Sequence, residues 1–92
     1  MIIDHSAVRD DWYDRGFSCD VWIDPPGKIW TDFFHDTDEL LMLIDGEIEL
    51  EMDDNILHPK IGDEVLIPAG MSHTVRNIGS VTNHWFYGYK YN

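Results

Sequence analysis

Turn residues constrain this chain more than anything else in it. Pro25-Pro26-Gly27, Asp45-Gly46, Asp53-Asp54-Asn55, Pro59 with Gly62, Pro68-Ala69-Gly70 and Gly79-Ser80 cut it into short pieces. Proline fixes φ and withholds a donor, glycine reaches left-handed backbone without strain, and Asp and Asn side chains bond to nearby backbone, so each cluster favours a turn. Most of the pieces between them are rich in β-branched, aromatic and aliphatic residues. Many short strands with no credible long helix mean an all-β sandwich or barrel.

The strands expected are Phe17 to Asp24, Trp30 to His35, the run from Glu39 to Ile44, Glu47 to Met52, a short piece at Ile56, Glu64 to Ile67, His73 to Asn77 and Asn83 to Tyr91. A helix from Thr37 is conceivable, but the run after Glu39 stops too soon at Asp45-Gly46. That Asp-Gly pair between two apolar-bearing runs predicts a β-hairpin. In Glu47 to Met52 the alternation is clean, with Glu47, Glu49 and Glu51 on one face and Ile48, Leu50 and Met52 on the other. Residues 1–14 carry few periodic signals and read as a leader packing on the barrel or on a partner, with Trp12 tucked back; residues 15–92 form one domain. If Glu39, Leu41 and Leu43 point inward, Leu40, Met42 and Ile44 form an outward apolar trio. Such a trio needs a second sheet or a second subunit, and a homodimer is the expectation.

Charge excludes several partners. Eighteen acidic residues against six basic ones give a net charge of −12, which repels phosphate backbones and anionic membranes. The single cysteine, Cys19, permits no intrachain disulfide and reads as core beside Phe17 and Val21. The N-terminal run lacks the basic and apolar pattern of a secretion signal, and a cytoplasmic location is the default. There is no phosphate-cradling loop and no dinucleotide glycine run.

The residues able to carry chemistry are His35, Glu39 and His73. Glu39 interrupts an apolar strand, where an unpartnered acid is costly. His73 opens a strand and faces inward. Two imidazoles and a carboxylate on adjacent strands can claim one face of a divalent ion and leave the other face open. The plainer reading is that the two histidines are hydrogen-bonded core residues serving the Glu39 carboxylate. Phe33, Leu41, His84 and Phe86 are expected to line the pocket, since the last strand alternates and Phe86 reads as core. Trp22, Trp30 and the tyrosines of the last strand line a pocket or serve packing and interface. Tyr87 and Tyr89 show no activating neighbour in the sequence.

The spacing of these residues resembles that of the cupins, and of their small single-domain conserved-barrel (type-2) members in particular. The first motif of that family is matched at Gly27, His35, Glu39 and Gly46, and the second in full at Gly62, Pro68, Gly70, His73 and Asn77. The resemblance covers about residues 17–91. It implies a double-stranded β-helix, or jelly-roll barrel, and a metal held by three histidines and a glutamate. Here Phe33 stands at the first histidine's place, so the ligands carried over are His35, Glu39 and His73, for iron, manganese, nickel or zinc; Asn77 is carried over as structural.

Phe33 leaves two readings open. In one, a two-histidine, one-carboxylate site keeps an extra open position. In the other, the metal is absent and the barrel holds a small organic ligand or senses one. Three functions follow: a metal-binding barrel of unassigned substrate, a metal-dependent dioxygenase, isomerase or decarboxylase, and a metal-free binding barrel.

Overall fold

A computed structural model of the chain describes residues 3–33 and 35–91, with the backbone alone at 31–33. Eight strands follow one helix: α1 (His5–Asp14), β1 (Asp20–Asp24), β2 (Ile29–Phe33), β3 (Glu39–Asp45), β4 (Ile48–Met52), β5 (Asn55–Leu57), β6 (Glu64–Ile67), β7 (His73–Asn77) and β8 (Asn83–Tyr89). One sheet runs β1-β8-β3-β6 and the other β2-β7-β4-β5, with every pairing antiparallel. This is the all-β jelly-roll architecture expected, plus one short helix.

The inner core is Leu41, Leu43, Ile48, Leu50, Ile67, Val75 and Trp85. In β4, Ile48 and Leu50 are buried and Met52 packs against them, while Glu49 and Glu51 meet Arg76 across the outer face. Alternation therefore reads correctly in this strand, because one face is dry and the other wet.

Asp45-Gly46 does not make a hairpin. It carries the chain from β3 in one sheet to β4 in the other, and the two strands have no ladder between them. Asn83 supplies the hydrogen bonds that a strand partner would have made. Its Oδ1 accepts the Glu47 N–H at 2.9 Å, and its Nδ2 donates to the Glu47 carbonyl at 2.8 Å. Gly46 has φ +95°, and a Cβ there would lie 1.8 Å from Asn83 Oδ1, so both backbone and space require glycine.

The N-terminal segment is helical, which its weak periodicity did not announce. Residues 5–14 form α1, capped by the Asp4 carboxylate, which accepts the Ala7 N–H at 3.1 Å. Trp12 is fully buried with Phe17, Leu40 and Phe86, and Met42 and Ile44 pack against the same cluster. Leu40 of the outward trio is thus buried under the chain's own helix, and Met42 and Ile44 are partly buried against the same cluster. Trp12 Nε1 donates to Glu64 at 2.9 Å, and Arg15 pairs with the same carboxylate, so α1 is pinned to β6. Phe17 is buried and Cys19 partly buried in the cluster beneath the helix, whereas Val21, expected on the same face, is exposed on edge strand β1.

A buried carboxylate ties the two sheets together. Asp24, at the end of β1, is fully inaccessible and accepts indole N–H groups from Trp22 at 2.8 Å, from Trp85 at 3.2 Å, and from Trp30 of the opposite sheet. Asn77, at the end of β7, donates to the backbone carbonyls of Asp24, Pro25 and Val81. An Asp24→Asn change would turn an amide N–H toward an indole N–H and leave buried donors unmatched, each at a cost of about 1–3 kcal/mol. Urea unfolding should show a loss of about 2–4 kcal/mol; an unchanged midpoint would mean that Asp24 does not hold the indoles.

Candidate metal centre

Glu39 and His73 reach the same point from opposite sheets. Glu39 opens β3, opposite Ile67 of β6 and Tyr89 of β8, and His73 opens β7, opposite Met52 of β4. Sequence reading expected neighbouring strands; the residues meet instead across the space between the sheets. His35 lies in the connection from β2 to β3. Its carbonyl accepts the Gly70 N–H at 2.8 Å, and Asp38 of the same connection accepts the Ala69 N–H at 2.8 Å. The Pro68-Ala69-Gly70 turn therefore holds the segment that presents His35. Thr37 and Asp38 are further bound to the backbone of Lys90.

Glu39 Oε1 lies 3.4 Å from His35 Nε2 and 3.5 Å from His73 Nε2. The ligand atoms of all three residues fall within 4.8 Å of one another. Glu39 is 3% exposed, and its Oε1 is a buried oxygen with no hydrogen-bond partner among the described residues. Desolvation pushes this carboxyl up to about 7. Burial likewise holds His73 below its ordinary value, against a partial opposing effect from the Met71 carbonyl and with a small contribution from His35. The Met71 carbonyl lies 3.4 Å from His73 Nδ1 and favours a proton there, which puts the ring's lone pair on Nε2, toward Glu39.

These residues fit a metal ion. Two ligand atoms bound at about 2.0–2.1 Å in a tetrahedral set stand roughly 3.4 Å apart; the two spacings from Glu39 are 3.4 and 3.5 Å, and all three atoms lie within 4.8 Å of one another. A buried carboxylate oxygen without a donor is also what a cation would satisfy.

The cavity beside the cluster is lined by Trp22, His35, Glu39, His73, Trp85, Tyr87 and Tyr89 and encloses about 140 Å³. His84 and Phe86 stand elsewhere. Phe86 is buried in the outer cluster under α1, and His84 is half exposed, 3.8 Å from Asp45. The alternation of β8 is real but its faces are reversed, since Trp85, Tyr87 and Tyr89 point inward and Phe86 meets the helix. Gly88 carried the signal: a Cβ there would lie 1.8 Å from the Ser18 carbonyl and 2.9 Å from Trp12, which marks its face as the one against the N-terminal segment. Leu41 belongs to the inner core on the face of Glu39. The Phe33 backbone pairs with His73, and its side chain lies outside the described residues.

Tyr89 is the group that sequence reading left without a neighbour. Its hydroxyl is hydrogen-bonded to His35 Nε2 at 3.3 Å. Burial, with the charge of Glu39 and a contribution from Tyr87, pushes this phenol up to about 12, so it keeps its proton at neutral pH. The two residues are 54 positions apart, and only the β3–β8 pairing brings them together.

Comparison with known proteins agrees with this fold. A family model described as the Cupin domain matches residues 20–88. No curated protein matches. Among solved structures, a Cupin 2 conserved barrel domain protein from Salinispora arenicola superposes with a TM-score of 0.72 at 23% identity, over 80% of this chain and 62% of that one. An RmlC-like cupin family protein with a double-stranded β-helix fold from Methanocaldococcus jannaschii gives 0.72 at 21% identity, over 80% and 69%. Salicylate 1,2-dioxygenase from Pseudaminobacter salicylatoxidans gives 0.75 at 16% identity, over 82% of this chain but 22% of that enzyme. This chain thus spans less than two thirds of the Salinispora protein's length. At these identities the likeness is one of fold. With the family model covering most of the sequence and both sheets in place, the chain belongs to the cupins.

Proposed function

We propose that this cupin binds a divalent transition metal through His35, Glu39 and His73 and presents it to a small organic molecule in the adjoining cavity. The orphaned Glu39 oxygen, buried between two imidazole nitrogens, carries the reading. A bound ion would supply Lewis acidity to an oxygen of that molecule. Glu39 supplies the anionic ligand and the histidines neutral nitrogens, which suits iron, manganese, nickel or zinc. Tyr89 holds a proton beside His35, and aromatic rings make up much of the lining. A cavity of about 140 Å³ compares with the roughly 150 Å³ that accommodates benzene. The occupant is therefore a molecule of modest size, and a metal-dependent reaction on it is the natural extension of the binding role.

Elemental analysis of untagged protein purified without chelator should find close to one transition metal per chain, and His73→Ala should abolish it. Absence of metal, with no uptake on adding iron, manganese, nickel or zinc, would overturn the proposal.

Glu39→Gln should move two readouts in opposite directions. Loss of the anionic ligand should weaken metal affinity by about 100-fold or more. The metal-free barrel should gain stability, because burial raises the folded-state carboxyl from its ordinary 4.5 to about 7 and so favours the neutral form. Stability from this group is present below the ordinary value and is lost as pH rises through about 7. The advantage of the variant over the parent should therefore grow between about pH 5 and about pH 8 in urea titrations. A constant difference across that window would show that Glu39 does not titrate as argued.

A further inference from the structure

One wall of the cavity does work that metal binding does not call for. Trp22 and Tyr87 stand at 81° with ring centroids 5.7 Å apart, and Trp85 and Tyr87 at 68° and 6.1 Å. All three line the open volume beside Glu39. Rings at such angles bound a space from several sides instead of stacking it shut. The N–H edges of both indoles, their most positive points, are turned to the buried Asp24 carboxylate. The cavity therefore meets ring faces and carbon edges. An indole N–H bonded to an anion leaves its ring richer in electrons and the face more attractive to a cation.

Two acidic residues flank this wall. Glu39 lies at the cavity's inner end, and the exposed Asp20 sits opposite Tyr87 in the β1–β8 register. No lysine or arginine is among the described lining residues. The tryptophan group also holds a cation from within the chain, since Lys28 Nζ lies 4.3 Å from the Trp30 ring centroid. Trp30 packs edge-on to Trp22 at 5.2 Å and 81°.

We propose that the cavity recognises a small organic cation, with a methylated onium group seated against Trp22, Trp85 and Tyr87. The proposal rests on reading this cavity as the ligand site and adds the chemical class of the ligand. The imidazoles and the Tyr89 hydroxyl lie at the Glu39 end of the lining, so at the Trp22, Trp85 and Tyr87 wall an anionic head would meet electron-rich rings. A primary ammonium is strongly hydrated and would find too few acceptors to replace its water. A methylated onium spreads its charge over an apolar shell, so it matches both the aromatic surface and the field. The cavity, at about 140 Å³, admits such a head with a short attached chain.

The test compares choline with its uncharged isostere, the alcohol carrying a tert-butyl group in place of trimethylammonium. Both are titrated calorimetrically into the full chain, once metal-loaded and once after chelator treatment. Choline should bind about tenfold more tightly or better in the metal-free preparation, and by a smaller margin in the metal-loaded one, where the dication opposes a second cation. Trp22 also anchors Asp24, so its loss would confound folding with binding. Tyr87 makes no such bond and is the position to vary. Tyr87→Leu should bring the two ligands close to parity, and Tyr87→Phe should keep the preference. Equal affinities in the parent protein, preference for the isostere, or no choline binding at millimolar concentration would overturn the proposal. A choline preference in protein that takes up no metal would sink the metal reading alone. Metal uptake without that preference would sink this one alone.

Discussion

Three tryptophan N–H groups converge on one buried carboxylate, and much of the molecule follows from that contact. Asp24 sits where β1 turns toward β2, and its bonds to Trp22, Trp85 and Trp30 join strands of both sheets. A carboxylate so deeply buried is costly unless its lone pairs are filled. Here they are filled by large rigid donors, two of which, Trp22 and Trp85, also wall the pocket. Asn77 secures the same corner through the backbone.

The cluster of His35, Glu39 and His73 depends on a different economy of positions. His73 and Glu39 are each the first residue of a strand, on opposite sheets, where side chains meet at the open end of the sandwich. His35 is held from outside by the Gly70 N–H. Precision at the site therefore comes from two strand starts and one pinned connection, and the sheets behind them supply the rigidity.

Spacing made His35, Glu39 and His73 legible, because their separations from fixed turn residues survive any detail of packing. The strands were legible where one face is dry, as in β4. Three features were not. The hairpin signal at Asp45-Gly46 was local and sound, but Asn83 replaced the missing ladder and sent the next strand to the other sheet. The faces of β8 were assigned the wrong way round because both are apolar: Phe86 under the helix and Trp85 in the core bury equally well. The helix itself was missed because its apolar contact is concentrated in Trp12, with Ile3 and Val8 only partly buried, which leaves almost no periodic stripe to read. Tyr89 joined the site through strand register, which no spacing rule reports.

The N-terminal helix has a consequence for motion. Ten residues are too few to be helical alone in water, so α1 exists by virtue of Trp12 and the Glu64 contacts. Its release needs no strand pairing to break, and the free energy of that opening lies below that of unfolding the barrel. Amide exchange across residues 5–14 would then report a separate, shallower cooperative unit. Each opening would bare Leu40, Met42 and Phe86 together, a brief adhesive state available to a barrel that is otherwise intact.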